Sequence, residues 1–468
     1  MSEAFAIVVD IGKTMSKVTL WSRAGTLLDR QVRPNAVVEQ DGLRRLDVAA
    51  IGDWLIATLA RHAGQPVEYL IPVGHGAGVV GLRDGALAFA PLDYEQAIPE
   101  AVRAAYRRQR DPFAITGSTA LPDGLNLAAQ LDWLEARDRA ALDGATLLPW
   151  AQYWAWFLSG RAVSEVTSLG CHSDLWNPAA QAFAPMAVRR GWADRFAPLA
   201  AAGDAIGTLR PELAARTGLP ATAKVLAGLH DSNAALLAAR GFAEIAENEA
   251  TVLSTGTWFV AMRSPARHAA EPVALADLPE ARDCLVNVDV HGRSVPSARF
   301  MGGREIETLI EFDTRRIDIT PDQPALLAAV PAVLAAGAMM LPTLAPGCGP
   351  FPDARPRWIA EPDDPFARRA AASLYAALVA DASLDLIGAR ERLLVEGRFA
   401  EAQVFVRALA SLRPETAVYT ANAHNDVSFG ALRLVDPRLR PQGSLARVAP
   451  LAGDLAAYSA RWRAAIAA

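Results

Sequence analysis

Three short stretches carry residue types suited to chemistry on a phosphate. In residues 8–17, VVDIGKTMSK, a β-branched run stops on Asp10 and passes through Gly12, Lys13, Thr14 and Lys17 before a second apolar run begins. Backbone N–H groups in such a Gly/Thr/Ser turn can point at an anion, and Lys13 or Lys17 would add positive charge. A carboxylate at a strand end could hold Mg²⁺ through water, because magnesium is usually bound by one or two carboxylates. An ordinary hairpin turn would read the same way. In residues 225–239, VLAGLHDSNAALLAA, an apolar strand runs through Gly228 into His230 and Asp231, and Ser232, Asn233 and Ala234 start a helix. An acid there either caps the helix or accepts a hydroxyl proton as a general base. In residues 254–258, STGTW, the hydroxyls and amides of Thr255, Gly256 and Thr257 suit phosphate oxygens. Each stretch is weak alone. Together, an acid-bearing loop, a strand-end Asp and a Thr-Gly-Thr loop support one another.

The elements that position these residues read as α/β. AFAIVVD is a buried strand, and SKVTLWS with LLDRQVR forms a hairpin around RAGT. From Asp47, an N-cap, Ile51, Leu55 and Leu59 share one helical face, and the helix stops by Gly64. VEYLIPVGHGAG then repeats the opening pattern, a strand followed by a glycine-rich turn that carries His75. LNLAAQLDWLEAR is helical, and so is the aromatic PWAQYWAWFLSG, ended by Gly160, whose Trp150, Tyr153, Trp154 and Trp156 read as core. A second half begins near residue 241. There ATVLSTGTWFVAM is a strand broken by a small-residue turn, the segment around ARRAAASLYAALVADASL is a long helix, and RLLVEGRFAEAQVFVRALASL is strand, turn and helix. Strand, functional turn, helix and strand are the order of a layered α/β domain. With no Pro/Gly/Ser linker, two domains are expected to pack closely across a cleft.

The 468 residues exceed one usual core, which also argues for two domains. A net charge of −5 without a basic stripe argues against a nucleic-acid partner. No apolar run approaches the ~20 residues needed to span a bilayer, and the N-terminus enters a strand directly, so neither a membrane nor a signal segment is expected. The three cysteines, Cys171, Cys284 and Cys348, are far apart, which disfavours a disulfide framework or a zinc site and points to a cytoplasmic location. His62 at a helix end and His268 in a polar loop are expected to be solvated.

In this order, the motifs resemble those of the FGGY carbohydrate kinases, the sugar-kinase branch of the actin and hexokinase-like superfamily, over essentially the whole chain. The family's opening D-x-G-T-T-x-x-R is met by DIGKTMSK, with Asp10, Gly12, Thr14 and Lys17. Its G-x-x-D turn is met by GLHD, and its second phosphate loop by TGT. LPWAQYWAWFLSG looks like the family's helix near the sugar. The resemblance implies two actin-like (ribonuclease H-like) α/β domains, 1–240 for sugar and 241–468 for nucleotide, and phosphoryl transfer from ATP with Mg²⁺. It implies Asp231 as the base, with Asp10 and Asp231 at the metal. Phosphate and nucleotide contacts fall on Gly12, Lys13, Thr14, Lys17, Thr255, Gly256, Thr257, Gly397 and Gly430, and sugar contacts on His75, Gly76, His230, Asp231 and Trp258. Pro91–Gln96 follows His75 as sugar-side loops do in relatives. Against the family pattern, Lys13 replaces a small hydroxyl residue, and VEGRF and SFGALRL keep only Gly397 and Gly430 of the glycine signatures. The segment Cys171–Trp176 has no family counterpart, and His172 and Asp174 read as a surface turn rather than sugar contacts. The variants GLHDSN and DIGKT sit closer to fuculose and rhamnulose kinases than to glycerol kinases. The expected substrate is a small ketose (L-fuculose or L-rhamnulose, then xylulose or ribulose), and a homodimer stays open. The competing readings are an actin-like ATPase without a sugar and a catalytically silent sugar sensor.

Overall fold

Alternating apolar faces decide what the first strand does. The computed structural model describes residues 4–267, 277–422 and 427–467. In strand Phe5–Ile11, Ile7, Val9 and Ile11 face the core made with helices Val48–Ala60 and Trp150–Ser159. Ala6 and Val8 face the other way, against Ala234 and Ala238 of helix Asp231–Ala239 and against Phe429 and Leu432. Both faces are covered, so the run is apolar throughout.

Contacts divide the chain into two units. The first is Met1–Gly241, Val286–Ser294 and a C-terminal segment ending at Pro441; the second is Phe242–Leu285, Val295–His424 and Gln442–Ala468. Two segments that a division at 240/241 assigns to the second domain therefore pack with the first unit.

The sheet of the first unit runs Ala205–Thr208, Lys224–Leu226, Val67–Gly74, Phe5–Ile11, Met15–Ser22, Leu27–Pro34, and the short strand Leu229–His230 also pairs with Val67–Gly74. The first three strands in the chain are an antiparallel meander, and Val67–Gly74 joins Phe5–Ile11 in parallel. The second unit repeats this plan. Ala250–Thr255, Phe259–Ser264 and Ser294–Phe300 pair antiparallel, with Cys284–Val288 beyond the last of them at the edge, and Arg392–Gly397 and Ala417–Ala421 extend the sheet in parallel. The α/β expectation holds in both.

Local signals act as read. The Asp47 side chain accepts the Ala50 N–H at 3.0 Å and starts helix Val48–Ala60, while Gly160, at φ 78°, ends the aromatic helix in the left-handed region. Trp150 and Trp154 are buried core residues. Asp364 and Pro365 open the helix Pro365–Leu386, whose alanines let neighbouring elements approach on several sides. His62 is a correction: it is buried, with Nε2 3.6 Å from Asp29 Oδ2, and burial holds its pKa below the usual value. His268 lies outside the described residues. Among the described residues no helix is long and apolar enough to cross a membrane.

Candidate active site

Sheet topology assembles the first constellation. Leu229–His230, Val67–Gly74 and Phe5–Ile11 are adjacent parallel strands, in register as Leu229 with Val73, His230 with Gly74, Asp10 with Val73 and Ile11 with Gly74. Their carboxyl ends thus bring Asp10, His75 and Asp231 together, where open α/β sheets place ligands.

The opening loop is a tight hairpin. Asp10 and Lys17 face each other across it, Lys17 Nζ donates to Asp10 Oδ2 at 3.0 Å, and the Gly12 N–H donates to Met15 O at 3.0 Å. A Cβ on Gly12 would stand 2.9 Å from that carbonyl. Asn35 braces the turn, donating to Gly12 O at 2.8 Å and accepting from Ser16 Oγ at 2.6 Å, while its N–H reaches Thr14 O at 2.8 Å. The hairpin therefore presents Thr14 exposed at its tip. Burial raises the pKa of Asp10, Lys17 lowers it, and the negative charge of Asp231 raises it further.

Lys13 does something the sequence did not suggest. Its ammonium lies 3.1 Å from Asp93 Oδ1, pairs with Glu95, and sits 4.6 Å above the Tyr94 ring centroid. Arg44 approaches the other Asp93 oxygen at 2.6 Å, so the fully buried Asp93 side chain is neutralised from two sides. Tyr94 in turn meets the His75 ring edge-on, with centroids 5.5 Å apart, and the Trp150 ring lies 6.0 Å from His75. The Pro91–Gln96 loop is thereby tied to the His75 turn. Burial, with Glu95, Asp231 and Asp93 nearby, pushes the Tyr94 hydroxyl up to about 12.

His75 and His230 are both buried, and burial lowers both pKa values, so both rings are neutral near pH 7. His75 Nδ1 is 2.5 Å from Gly76 O, which assigns the proton to Nδ1 and leaves Nε2 an acceptor with no partner among the described residues. In His230 it is Nδ1 that lacks a partner among the described residues, so the proton belongs on Nε2, 3.1 Å from Asp231 Oδ1 and 3.4 Å from Cys171 Sγ. Gly76 is a glycine because a Cβ there would lie 3.0 Å from both Cys171 Sγ and His230 Nε2. Asp231 is the first residue of its helix, where a carboxylate suits the positive end of the helix dipole, and its side chain is about one-third exposed.

Asp174 is buried rather than in a surface turn. It accepts from Tyr106 Oη at 2.5 Å and from Arg110 Nη2 at 3.0 Å. His172 Nδ1 lies 2.8 Å from Leu125 O. Asn126 completes this network with bonds to His172 O, Thr119 O and the Leu121 N–H. Gly430 packs in the first unit, where a Cβ would come 1.7 Å from Ala234 O. Its visible task is close contact between two helices.

In the second unit Thr255 pairs with Gly397 at the ends of parallel strands, as Ile11 pairs with Gly74 in the first. The Thr255 hydroxyl donates to Glu396 O at 2.5 Å and accepts the Phe399 N–H at 3.0 Å. It is committed to holding the loop, and Thr257 is the exposed hydroxyl of the pair. Gly397 has φ 84°, and a Cβ there would meet Thr255 O at 2.4 Å. Trp258 lies under the Arg299 guanidinium at 4.8 Å, and Asp283 holds Arg299 at 2.7 Å. Sequence reading passed over Gly303, at the start of helix Gly302–Ile310, where a Cβ would stand 2.0 Å from Gly256 O. The MGGRE stretch that carries it was visible. Tyr94 and Gln130, whose Nε2 donates to Ala77 O and Gly124 O at 2.6 Å, were not singled out either.

The model of the carbohydrate kinase FGGY C-terminal domain matches residues 247–442. The crystal structure of a carbohydrate kinase from Novosphingobium aromaticivorans is 68% identical, with all of this chain and 99% of that chain covered, at a TM-score of 0.96. The chain belongs to the FGGY carbohydrate kinases. Its fold is also shared with gluconate kinase from Lactobacillus acidophilus (14% identity, 100% and 96% covered, TM-score 0.80) and with xylulose kinase from Rhodospirillum rubrum (19%, 99% and 98%, TM-score 0.78). No curated protein matches the chain. As an FGGY carbohydrate kinase the chain is a phosphotransferase with an alcohol group as acceptor, it uses a sugar and ATP, and its two α/β units are of the actin-like kind.

Among the described residues no group of three or more His, Cys, Asp or Glu side chains could hold a metal ion by itself. Magnesium in phosphoryl transfer needs only one or two carboxylates besides water and phosphate oxygens. Asp10 and Asp231, close enough for their charges to interact, fit that requirement.

Proposed function

We propose that this FGGY kinase phosphorylates a hydroxyl of a small, uncharged ketose, with Asp231 as the general base. The observation that carries the reading is the meeting of Asp10, His75 and Asp231 at three adjacent parallel strand ends. Asp231 takes the proton of the attacking hydroxyl as its oxygen bonds to the γ-phosphorus of ATP, and the bond to the bridging oxygen breaks to release ADP. Mg²⁺ held through Asp10 and Asp231 would supply charge stabilisation to the phosphoryl group. Lys17 and the backbone of the 12–15 turn orient phosphate in the first unit. Thr257 and the Gly256 turn do so for the nucleotide in the second unit. In domain terms, the first unit serves the sugar and the second the nucleotide.

The acceptor's lack of charge follows from the pairing in the first unit. Lys13 is matched by Asp93 and Glu95, Lys17 by Asp10, and Arg44 by Asp93. His75 offers an acceptor nitrogen, which suits a sugar hydroxyl and repels a carboxylate. The half-buried Tyr94 ring, packed edge-on against His75, gives an apolar surface suited to the methyl group of a 6-deoxy ketose, so L-fuculose and L-rhamnulose come first, then xylulose and ribulose. The test is ADP release with Mg-ATP across ketoses, aldoses, polyols and aldonates. Strong release without any sugar favours the ATPase reading, and sugar binding without release favours the sensor. A preference for an aldonate would sink the uncharged-acceptor reading.

A further inference from the structure

We infer that Glu165 and Thr167 are positioning residues for Asp231, acting through the backbone N–H and the imidazole of His230. The inference rests on the reading of Asp231 as the base. It starts from a carboxyl group with no exposure at all, Glu165, that makes no ion pair among the described residues. Its oxygens accept the Thr167 N–H at 3.0 Å, the Thr167 hydroxyl at 2.6 Å and the Ser168 N–H at 3.2 Å. Capping the four-residue helix Val166–Leu169 accounts for the two amides. A serine or aspartate would cap as well, at a smaller burial cost.

The hydroxyl contact does more. Because the Thr167 hydrogen is committed to Glu165, a lone pair of Oγ1 faces the other way and accepts the His230 N–H at 3.0 Å. His230 is the residue before helix Asp231–Ala239, at φ −67° and ψ 142°, so its backbone sets where the first turn begins. The same segment returns to the His230 ring four residues later, where Cys171 Sγ lies 3.4 Å from Nε2. That nitrogen is the one 3.1 Å from Asp231 Oδ1. One buried segment thus holds His230 at its backbone and at its ring, and His230 holds the carboxylate. Without Thr167 Oγ1 the buried His230 N–H loses its acceptor, which costs enough to shift the helix start.

The test uses Thr167→Val, of nearly the same shape, and Thr167→Ser, which keeps the hydroxyl. Turnover is measured on the ketose giving the strongest ADP release, and ¹⁵N spectra of the histidine rings are recorded without sugar. Thr167→Val should lower kcat about tenfold with KM within about threefold, Thr167→Ser should recover most of it, and the His230 signals should move in the valine variant only. Parent kcat with unmoved His230 signals overturns the inference, as does a proportional loss in kcat and KM with those signals unchanged. Should Thr167→Val not fold, Glu165→Gln keeps the volume and reads the same link. A kcat loss of about threefold or more at constant KM supports it, and unchanged kcat overturns it. Asp231→Asn beside these separates two failures. Near-normal turnover there removes the base, whereas an inactive Asp231→Asn with a fully active Thr167→Val removes only the link.

Discussion

Lys13 Nζ lies 3.1 Å from Asp93 Oδ1, and the Asp93 side chain has no solvent exposure. A lysine in the first loop therefore acts on the Asp93–Glu95 loop, and through Tyr94 on the His75 side of the site. Lys13→Thr should raise the sugar KM about fivefold or more while kcat stays within about threefold, the pattern of lost ground-state positioning. Steady-state kinetics decide it. A tenfold fall in kcat at constant KM would place the ammonium on the phosphoryl group instead.

Asp231→Asn should cut kcat by at least ~10²-fold with little change in sugar affinity, the range for a lost general base. Calorimetric titration of the sugar checks the second half. Turnover near that of the parent would remove Asp231 from the chemistry.

Asp10→Asn keeps the shape of the strand end and removes its charge. It leaves Lys17 without its partner at 3.0 Å and is expected to raise the Mg²⁺ concentration needed for half-maximal rate while lowering that rate. An unchanged magnesium titration and rate would make the first loop structural only.

Glu165 makes stability depend on pH. Burial holds its carboxyl up to about 7 against an ordinary 4.5, with the Thr167 and Ser168 bonds opposing the rise. Between those values the folded protein binds a proton that the unfolded chain has released. Stability from this group is thus greatest at acid pH and declines as pH rises from about 4.5 to about 7, by on the order of 3 kcal/mol. Glu165→Gln carries no such proton, so its melting temperature should gain on the parent's between pH 5 and pH 8. A constant difference would mean the carboxyl titrates normally.

Gly303→Ala should disturb the Gly256 turn, since the new methyl would stand 2.0 Å from Gly256 O. The expected result is a rise of about tenfold in the KM for ATP with a smaller change for sugar. Equal kinetics for both substrates would detach this turn from the nucleotide.

Asp10, His75 and Asp231 were legible because each ends a strand, and a strand end can be read within ten residues. Parallel pairing then brings them together. What stayed hidden depends on partners far along the chain. Nothing near Lys13 announces Asp93, and nothing near His62 announces Asp29. Thr255 reads as a phosphate ligand until Glu396 and Phe399, 141 and 144 residues on, take up its hydroxyl. Gly430 reads as a remnant of a glycine signature, whereas its contact with Ala234 is a matter of two helices meeting. Glu165 shows nothing in sequence that separates it from a surface acid, because burial is a property of the fold.

The segment ending at Pro441 returns to the first unit and covers a face laid down much earlier in the chain. Phe429 packs on Trp21 with ring centroids 5.8 Å apart, and Gly430 on the helix that Asp231 begins. A chain still on the ribosome that has emerged only past Gly241 holds that helix with one face bare. The cover of the helix that Asp231 begins is thus completed only once the residues up to Pro441 have emerged, about 200 residues after the helix itself.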